Sequence, residues 1–303
     1  MYDIIVVGAG PAGLTAALYG LRADKSVLVI EKESFGGQIT FSPKVENYPG
    51  FMQMSGNEFA EKLLDQVTEH GADIELCEVM GIDDKGEYKI VNTDNGSFEG
   101  KTVIIATGCK HRHLGVDGED ALIGEGISFC AVCDGAFYSG RKVGVVGGGN
   151  SALVEAMMLS EICSEVVIIQ NLPTLTGEAK MVRALEAKQN VRIIYNTVVT
   201  GFDTENGALT GVKLHNTANN TKFTEAVDGL FVAIGHVPEN KPFESVTALN
   251  DYGYIISDER CLTDTAGIFV AGDCRTKAVR QITTATADGA VAALTACRYI
   301  DGL

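Results

Sequence analysis

A chain of 303 residues that is 46% hydrophobic has apolar side chain enough for two cores. Its formal net charge of −16 argues against nucleic acid or an anionic membrane surface as partner. No run of about 20 apolar residues is present, so no membrane span is expected. The start, Met1-Tyr-Asp-Ile-Ile, has neither the basic stretch nor the cleavage site of an export signal. Six scattered cysteines around one close pair fit a reducing compartment, so a cytoplasmic location is expected.

Tyr2–Val7 reads as a buried strand, Leu14–Leu21 as a helix and Ser26–Ile30 as a second, parallel strand that ends on Glu31. Between the first strand and the helix stands Gly8-Ala-Gly10-Pro-Ala-Gly13. There G-x-G-x-x-G glycines permit a tight turn, let the backbone approach a pyrophosphate and let the helix lie close on the sheet. The helix N-terminus then faces the phosphates. Glu31, 23 residues after Gly8, is placed to accept from an adenosine ribose hydroxyl.

The same unit recurs as strand Arg141–Val146, turn Gly147-Gly-Gly149-Asn-Ser-Ala152, helix Ser151–Ile162 and strand Glu165–Ile169. A helix is expected over Ala179–Gln189 and one strand over Val191–Val199. Leu209–His215 and Lys222–Ala226 alternate as antiparallel hairpin strands do. Leu230–Gly235 runs into His236–Asn240, a return crossing between domains; Gly267–Asp273 reads as a buried strand ending on an acid, and Thr283–Ile300 as an alanine-rich closing helix. The expected architecture is α/β, with two Rossmann-like FAD/NAD(P)-binding domains of three layers. The second, 113–240, is inserted into a first made of 1–112 and 241–303.

Just before the second unit lies Phe129-Cys130-Ala-Val-Cys133-Asp134-Gly135. Two cysteines three apart close a small disulfide when the segment bends into a helical turn, and a helix N-terminus lowers a thiol's pKa so that a thiolate can attack. Half of a zinc site is the other reading, but a zinc site needs a second Cys/His pair at similar spacing, and the sequence has none. No metal is therefore expected. Most of the other cysteines sit in apolar contexts that suit inert core residues.

Taken in order, GAGPAG (8–13), FGGQIT (35–40), ENYPGF (46–51), ATG (106–108), CAVCDG (130–135), GGGNSA (147–152), AIGHVPEN (233–240) and AGDCRTKAVRQI (271–282) resemble the low-molecular-weight thioredoxin reductases over nearly the whole length. The resemblance implies FAD in the first domain. It implies that Gly8, Gly10 and Gly13 cradle the pyrophosphate, with Pro11 and Ala12 beside them, and that Glu31 and Lys32 lie at the ribose. Gly36, Gly37, Gln38 and Asn47 would approach the flavin side, although Asn47 could instead cap a turn. Val79, Thr107 and Gly108 are further implied contacts, as is Gly272; Asp273 would hold the ribityl chain or a phosphate-bridging water. Arg280, Gln281 and Ile282 would stand at the last helix, whose N-terminus near the flavin's pyrimidine end favours the anionic reduced form. In the dithiol, Cys133 would sit against the flavin, Cys130 would attack the substrate disulfide and Asp134 would manage the thiol protons. Thioredoxin is the implied partner and a homodimer the implied assembly.

One stretch departs from the pattern. Usual family members read the NADPH 2′-phosphate with a His-Arg-Arg run where this chain has Gln170-Asn171-Leu172. Two neutral amides supply no cation for a dianionic phosphate, and the acid that an NADH enzyme favours there is absent too. A branch of the family that takes electrons from reduced ferredoxin lacks those arginines, which makes ferredoxin the expected donor. The gap of roughly 130 mV between a plant-type ferredoxin and thioredoxin is downhill by about 6 kcal/mol for two electrons. Ferredoxins are acidic, so docking on this acidic chain needs a local basic patch; Lys110-His-Arg112-His113 and Arg275/Lys277/Arg280 are the candidates. The alternatives are NAD(P)H held by atypical contacts around Gln170 and Asn171, a redox-sensing flavoprotein without turnover, and a thiol oxidase.

Overall fold

The computed structural model describes residues 1–42 and 44–302. The chain divides into two compact units, one formed by 1–110 with 237–303 and the other by 111–236. Each is a Rossmann-like α/β unit.

In the first unit, strand β1 (Tyr2–Val7) leads into helix α1 (Pro11–Arg22) and strand β2 (Val27–Glu31). Pro11 opens the helix at a position where its missing N–H loses no bond. Helix α2 (Gly56–Glu69) is capped by Ser55, whose side chain accepts from Glu58 N, and leads to β3 (Asp73–Leu76). Then come β4 (Val79–Asp84), β5 (Lys89–Thr93) and β6 (Gly96–Ile105). The sheet order is β3-β2-β1-β6-β5-β4. Strand β6 serves two layers: Gly96–Gly100 pairs antiparallel with β5, and Gly100–Ile105 pairs parallel with β1.

In the second unit a single helical turn over Glu119–Leu122 precedes β7 (Ile127–Ser128) and the short helix α3 (Ala131–Asp134). Strand β8 (Lys142–Val146), helix α4 (Asn150–Ile162) and strand β9 (Glu165–Ile169) repeat the β1-α1-β2 plan. Helix α5 (Ala179–Glu186), β10 (Val191–Ile194), β11 (Thr197–Glu205), β12 (Ala208–Asn216), β13 (Thr221–Ala226) and β14 (Gly229–Val232) follow. The parallel sheet runs β10-β9-β8-β14-β7, and β11-β12-β13 form a separate antiparallel sheet. The chain then completes the first unit with β15 (Ile268–Val270), parallel to β6, and the closing helix α6 (Ile282–Ile300).

Alternation of side chains along the parallel strands explains the three layers. In the second unit Val167, Ile169, Leu230 and Val232 point to one face, where they meet Val212 and Leu214 of the antiparallel sheet. Val166, Ile168 and Phe231 point to the other, against Ala152, Ala156 and Leu159 of α4. In the first unit Ile4, Val6 and Val29 face the helices, whereas Ile5, Val7 and Leu28 face Ile82 and Val91 of the strand layer. Helices α1 and α6 approach very closely because α6 carries Gly289, where a Cβ would run into the carbonyl oxygen of Ala12.

Three elements differ from the sequence reading. Val191–Val199 is two strands: the chain breaks at Asn196, which adopts φ +52°, and β11 leaves the parallel sheet for the antiparallel one. Asn tolerates this left-handed geometry better than the β-branched residues around it. The expected helix to Gln189 stops at Glu186. The strand before Asp273 ends at Val270, because Gly272 turns at φ +79° into a 3₁₀ turn over Gly272–Cys274.

Candidate functional site

In the first unit the β1–α1 turn is shaped by steric need. Gly8 stands at φ +105°, and a Cβ there would come within 2.5 Å of Ala106 O; at Gly13 a Cβ would meet Gly8 O. The Gly36-Gly37 turn lies against this loop, with Gly36 N donating to Ala9 O at 2.8 Å and Gly37 approaching Gly10. Glu31 Oε2 accepts from Ala9 N at 2.8 Å, while Oε1 accepts from Lys32 N and Glu33 N, which fixes the carboxylate at the rim of the turn. Beside it opens a cavity of about 340 Å3 lined by Gly8, Glu31, Lys32, Val79, Thr107 and Phe243. Glu239 and Pro242 also line it, and Glu239 pairs with Lys32 at 2.6 Å. Neither was singled out from the sequence; the AIGHVPEN motif that carries Glu239 reads as a crossing, and only the fold shows that it closes a cavity wall.

Asp273 is the polar group without a match. Its Oδ1 is buried and has no partner, and burial pushes its pKa up to about 6. At the head of α6, Gln281 is the N-cap in a reciprocal capping box with Thr284, and Asn47 Nδ2 donates to Gln281 Oε1 at 3.1 Å. The structure thus brings Asn47 to Gln281, 234 residues away, rather than leaving it to cap a turn. Gln38 is exposed in the 3₁₀ turn Gly37–Phe41.

The second unit holds a closed disulfide between Cys130 and Cys133, with their Cα atoms 5.3 Å apart. Cys130 is the N-cap of α3, and Cys133 N donates to Cys130 Sγ at 3.2 Å. Asp134 ends the turn. Ser128, which the sequence reading missed, donates through Oγ to Asp134 Oδ2 at 2.6 Å and accepts from Cys130 N at 3.1 Å. The other carboxylate oxygen, Oδ1, is buried and unpartnered, and desolvation raises the pKa of Asp134 despite the Ser128 bond. A proton on this carboxyl is therefore easier to keep than on an ordinary aspartate. Beneath, Ala131 packs with Ala152, Ala156 and Leu159 of α4, and Gly135 rests on Leu159. The six other cysteines are buried free thiols, and burial raises Cys109 and Cys261 to about 12 and Cys274 to about 11, which leaves the pair as the thiol chemistry at hand.

Comparison with known proteins decides what these two arrangements belong to. The family model for pyridine nucleotide-disulphide oxidoreductases matches residues 2–289. The thioredoxin reductase of Bacillus subtilis (strain 168) is 39% identical over 303 residues, covering 100% of this chain and 96% of its own. That of Listeria monocytogenes is 40% identical, covering 100% and 95%. The crystal structure of thioredoxin reductase from Streptococcus pyogenes superposes with a TM-score of 0.96 at 37% identity, covering 100% of this chain and 99% of that one.

The chain belongs to the pyridine nucleotide-disulphide oxidoreductases, among the thioredoxin reductases. The cofactor of this family is FAD, and the first unit is fitted for it: Gly8 and Gly13 have no room for a side chain, a Cβ on Gly10 would find only Gly36 O at 3.8 Å, and the orphaned Asp273 oxygen awaits a donor. Among the described residues no helix is long and apolar enough to cross a membrane, and no cluster of metal-ligating side chains occurs.

In the two basic clusters that ferredoxin docking requires, Lys110, His111, Arg275, Lys277 and Arg280 are paired, packed or buried, while Arg112 is exposed. Arg275 is buried and grips Asp288 of α6 with two bonds of 2.8 Å, and Lys277 reaches the same carboxylate at 2.8 Å. Arg280 lies over the Tyr254 ring at 4.2 Å and donates to backbone carbonyls of its own loop. Lys110 pairs with Glu33 at 2.9 Å and lies 3.5 Å from Glu239. His111 stacks on Phe129 at 4.7 Å, and burial pushes its pKa down to about 3, so it is neutral. Sequence adjacency shows cations; only the fold shows that Glu33 pairs with Lys110 and Asp288 with Arg275 and Lys277.

Proposed function

We propose that this chain is a thioredoxin-disulfide reductase in which Cys130 and Cys133 carry reducing equivalents from FAD to the disulfide of thioredoxin, with a pyridine nucleotide as the electron donor. The observation that carries the reading is the closed Cys130–Cys133 disulfide beside the buried, half-satisfied carboxyl of Asp134. When bound, FAD supplies the two-electron chemistry that converts the disulfide to a dithiol, a change that also takes up two protons. Asp134, with its raised pKa, is the group that holds one of those protons beside the sulfurs, and Ser128 fixes its orientation.

The Cys133 N–H that points at Cys130 Sγ in the disulfide would favour negative charge on that sulfur in the reduced pair, which supports Cys130 as the attacking thiolate. Attack on one sulfur of the partner disulfide gives a mixed disulfide and releases one partner thiolate. Cys133 then attacks Cys130 Sγ, which closes the internal disulfide and releases the second partner sulfur. The proton held by Asp134 passes to the first departing thiolate, and the single proton leaving Cys133 then passes by way of the emptied carboxylate to the second.

For the donor, the pyridine-nucleotide family to which the chain belongs supports NAD(P)H over reduced ferredoxin. The internally paired basic clusters count against an acidic protein donor as well. An anaerobic assay offering NADH, NADPH and reduced ferredoxin in parallel, read by thioredoxin thiols, tests it: a pyridine nucleotide should drive turnover, and turnover with ferredoxin alone would reject the donor assignment. Cys133→Ser should retain FAD yet stop thioredoxin reduction; a near-parental rate in that variant would reject the assigned cysteine roles.

A further inference from the structure

The second unit repeats the first closely enough for its nucleotide end to be read by internal comparison. Glu31 lies 23 residues after Gly8, and Gln170 lies 23 residues after Gly147. Each directly follows, or ends, the second strand of its β-α-β unit. Each folds against the residue after the first glycine: Glu31 accepts from Ala9 N, and a Cβ on Gly148 would lie 2.9 Å from Gln170 Oε1. Gln170 is thus the counterpart of the carboxylate that reads an adenosine ribose.

Gln170 is 3% exposed and held in one orientation, with Nε2 donating to Thr174 O at 2.9 Å. Its amide lies against Gly148, where a Cβ would collide with it. The following loop is docked on the glycine turn, with Thr176 N and Gly177 N donating to Gly148 O at 2.8 and 3.1 Å. Yet the place of a pyrophosphate stays open: a Cβ on Gly149 would find only Thr176 Oγ1, at 3.9 Å, and no side chain caps α4. Gly149 has φ −84°, which any residue adopts, so neither backbone strain nor packing within the unit requires a glycine there. Close approach of a ligand does.

The geometry points to a dinucleotide site in the second unit that takes NADH in preference to NADPH, with Gln170 Oε1 accepting from the adenosine ribose 2′-hydroxyl. The segment Asn171–Glu178 contains no cation and one acid, and the Thr176 hydroxyl is committed to Gly148 O at 3.2 Å. A 2′-phosphate would meet an acceptor oxygen that repels it and no cation within the loop to offset it; Lys180 and Arg183 stand beyond the loop, on α5. A 2′-hydroxyl donates to the same oxygen without penalty. This inference rests on the pyridine-nucleotide reading given above.

Calorimetric titration of the oxidised holoenzyme with NAD⁺ and NADP⁺ tests it at equilibrium, without turnover. NAD⁺ should bind at least about tenfold more tightly than NADP⁺, the loss expected when one buried acceptor faces an anion. Gln170→Ala should weaken NAD⁺ by about tenfold, whereas Gln170→Glu, which keeps the acceptor, should retain NAD⁺ and widen the preference. Asn171→Arg with Leu172→Arg should reverse it, and a far-UV circular dichroism spectrum and unfolding transition matching the parent certify the fold of each variant. Equal or tighter binding of NADP⁺ by the parent protein overturns the inference and leaves the donor class intact. Saturable binding of neither nucleotide overturns the donor assignment itself, and this inference with it.

Discussion

Glu155 on α4 offers the sharpest test of the electrostatics of the second unit. It stands in the row Ala152, Glu155, Leu159, Ile162 that faces the dithiol turn, since Gly135 rests on Leu159 and Ile162. Its Oε2 is buried without a partner, and burial alone raises its pKa from 4.5 to about 8. At pH 7 the folded protein keeps the proton that the unfolded chain has lost. The stability linked to this proton is complete below pH 4.5 and lost as pH rises through about 8. Between 4.5 and 7 the loss amounts to at most about 3 kcal/mol, at 1.36 kcal/mol per pH unit. Glu155→Gln keeps the shape and carries no proton to lose. It should match the parent near pH 4.5 and exceed it at pH 7 by roughly 2–3 kcal/mol, on the order of 5 °C in Tm. The assay is thermal unfolding of both proteins on a grid from pH 4.5 to 9. A Tm difference that does not change with pH would refute the reasoning, because a neutral buried carboxyl must disclose itself as a slope.

Other outcomes follow from the same geometry. Asp134→Asn removes the acid beside the sulfurs and should slow thioredoxin reduction by on the order of 10²-fold, with a flattened pH–rate profile; parental kinetics would assign the proton traffic elsewhere. Asp288→Asn leaves Arg275 and Lys277 buried beside a neutral group and should cost about 3–5 kcal/mol in urea unfolding at pH 7. Because its partners lower the Asp288 pKa, that loss should shrink as pH falls from the ordinary aspartate value, and it disappears once pH passes the lowered value at which the folded parent carboxylate is itself protonated. Asp273→Leu should raise the FAD dissociation constant about tenfold, read by flavin release on dilution; unchanged retention would show that its buried oxygen serves no cofactor.

The sequence carried the fold where local pattern and tertiary role coincide. The runs Tyr2–Val7 and Glu165–Ile169 are buried on both faces, and glycine turns punctuate them, so their place was legible. The dithiol turn was equally plain, because spacing and an adjacent acid already specify a closed pair. What stayed hidden depended on distant partners. A turn cap stays open as the alternative for Asn47 until Gln281 appears beside it, and Arg275 and Lys277 stay a candidate cationic patch until Asp288 is seen between them. The strand break at Asn196 was masked by apolar residues on either side, which suit one sheet or two equally well. Ser128 carries no signal in the sequence at all; a serine two residues before a cysteine earns notice only when its hydroxyl is found on Asp134.

The partnership of α1 with α6 bears on how the molecule is made. Helix α1 lies at the start of the chain, and the Gly289 face that receives it, with strand β15, emerges from the ribosome more than 150 residues after β6. All of the second unit is translated in that interval. The nascent inserted unit is therefore free to fold while the early strands wait with one side of their sheet uncovered. A stalled or shortened transcript would yield a finished dithiol carrier beside an unfinished flavin fold.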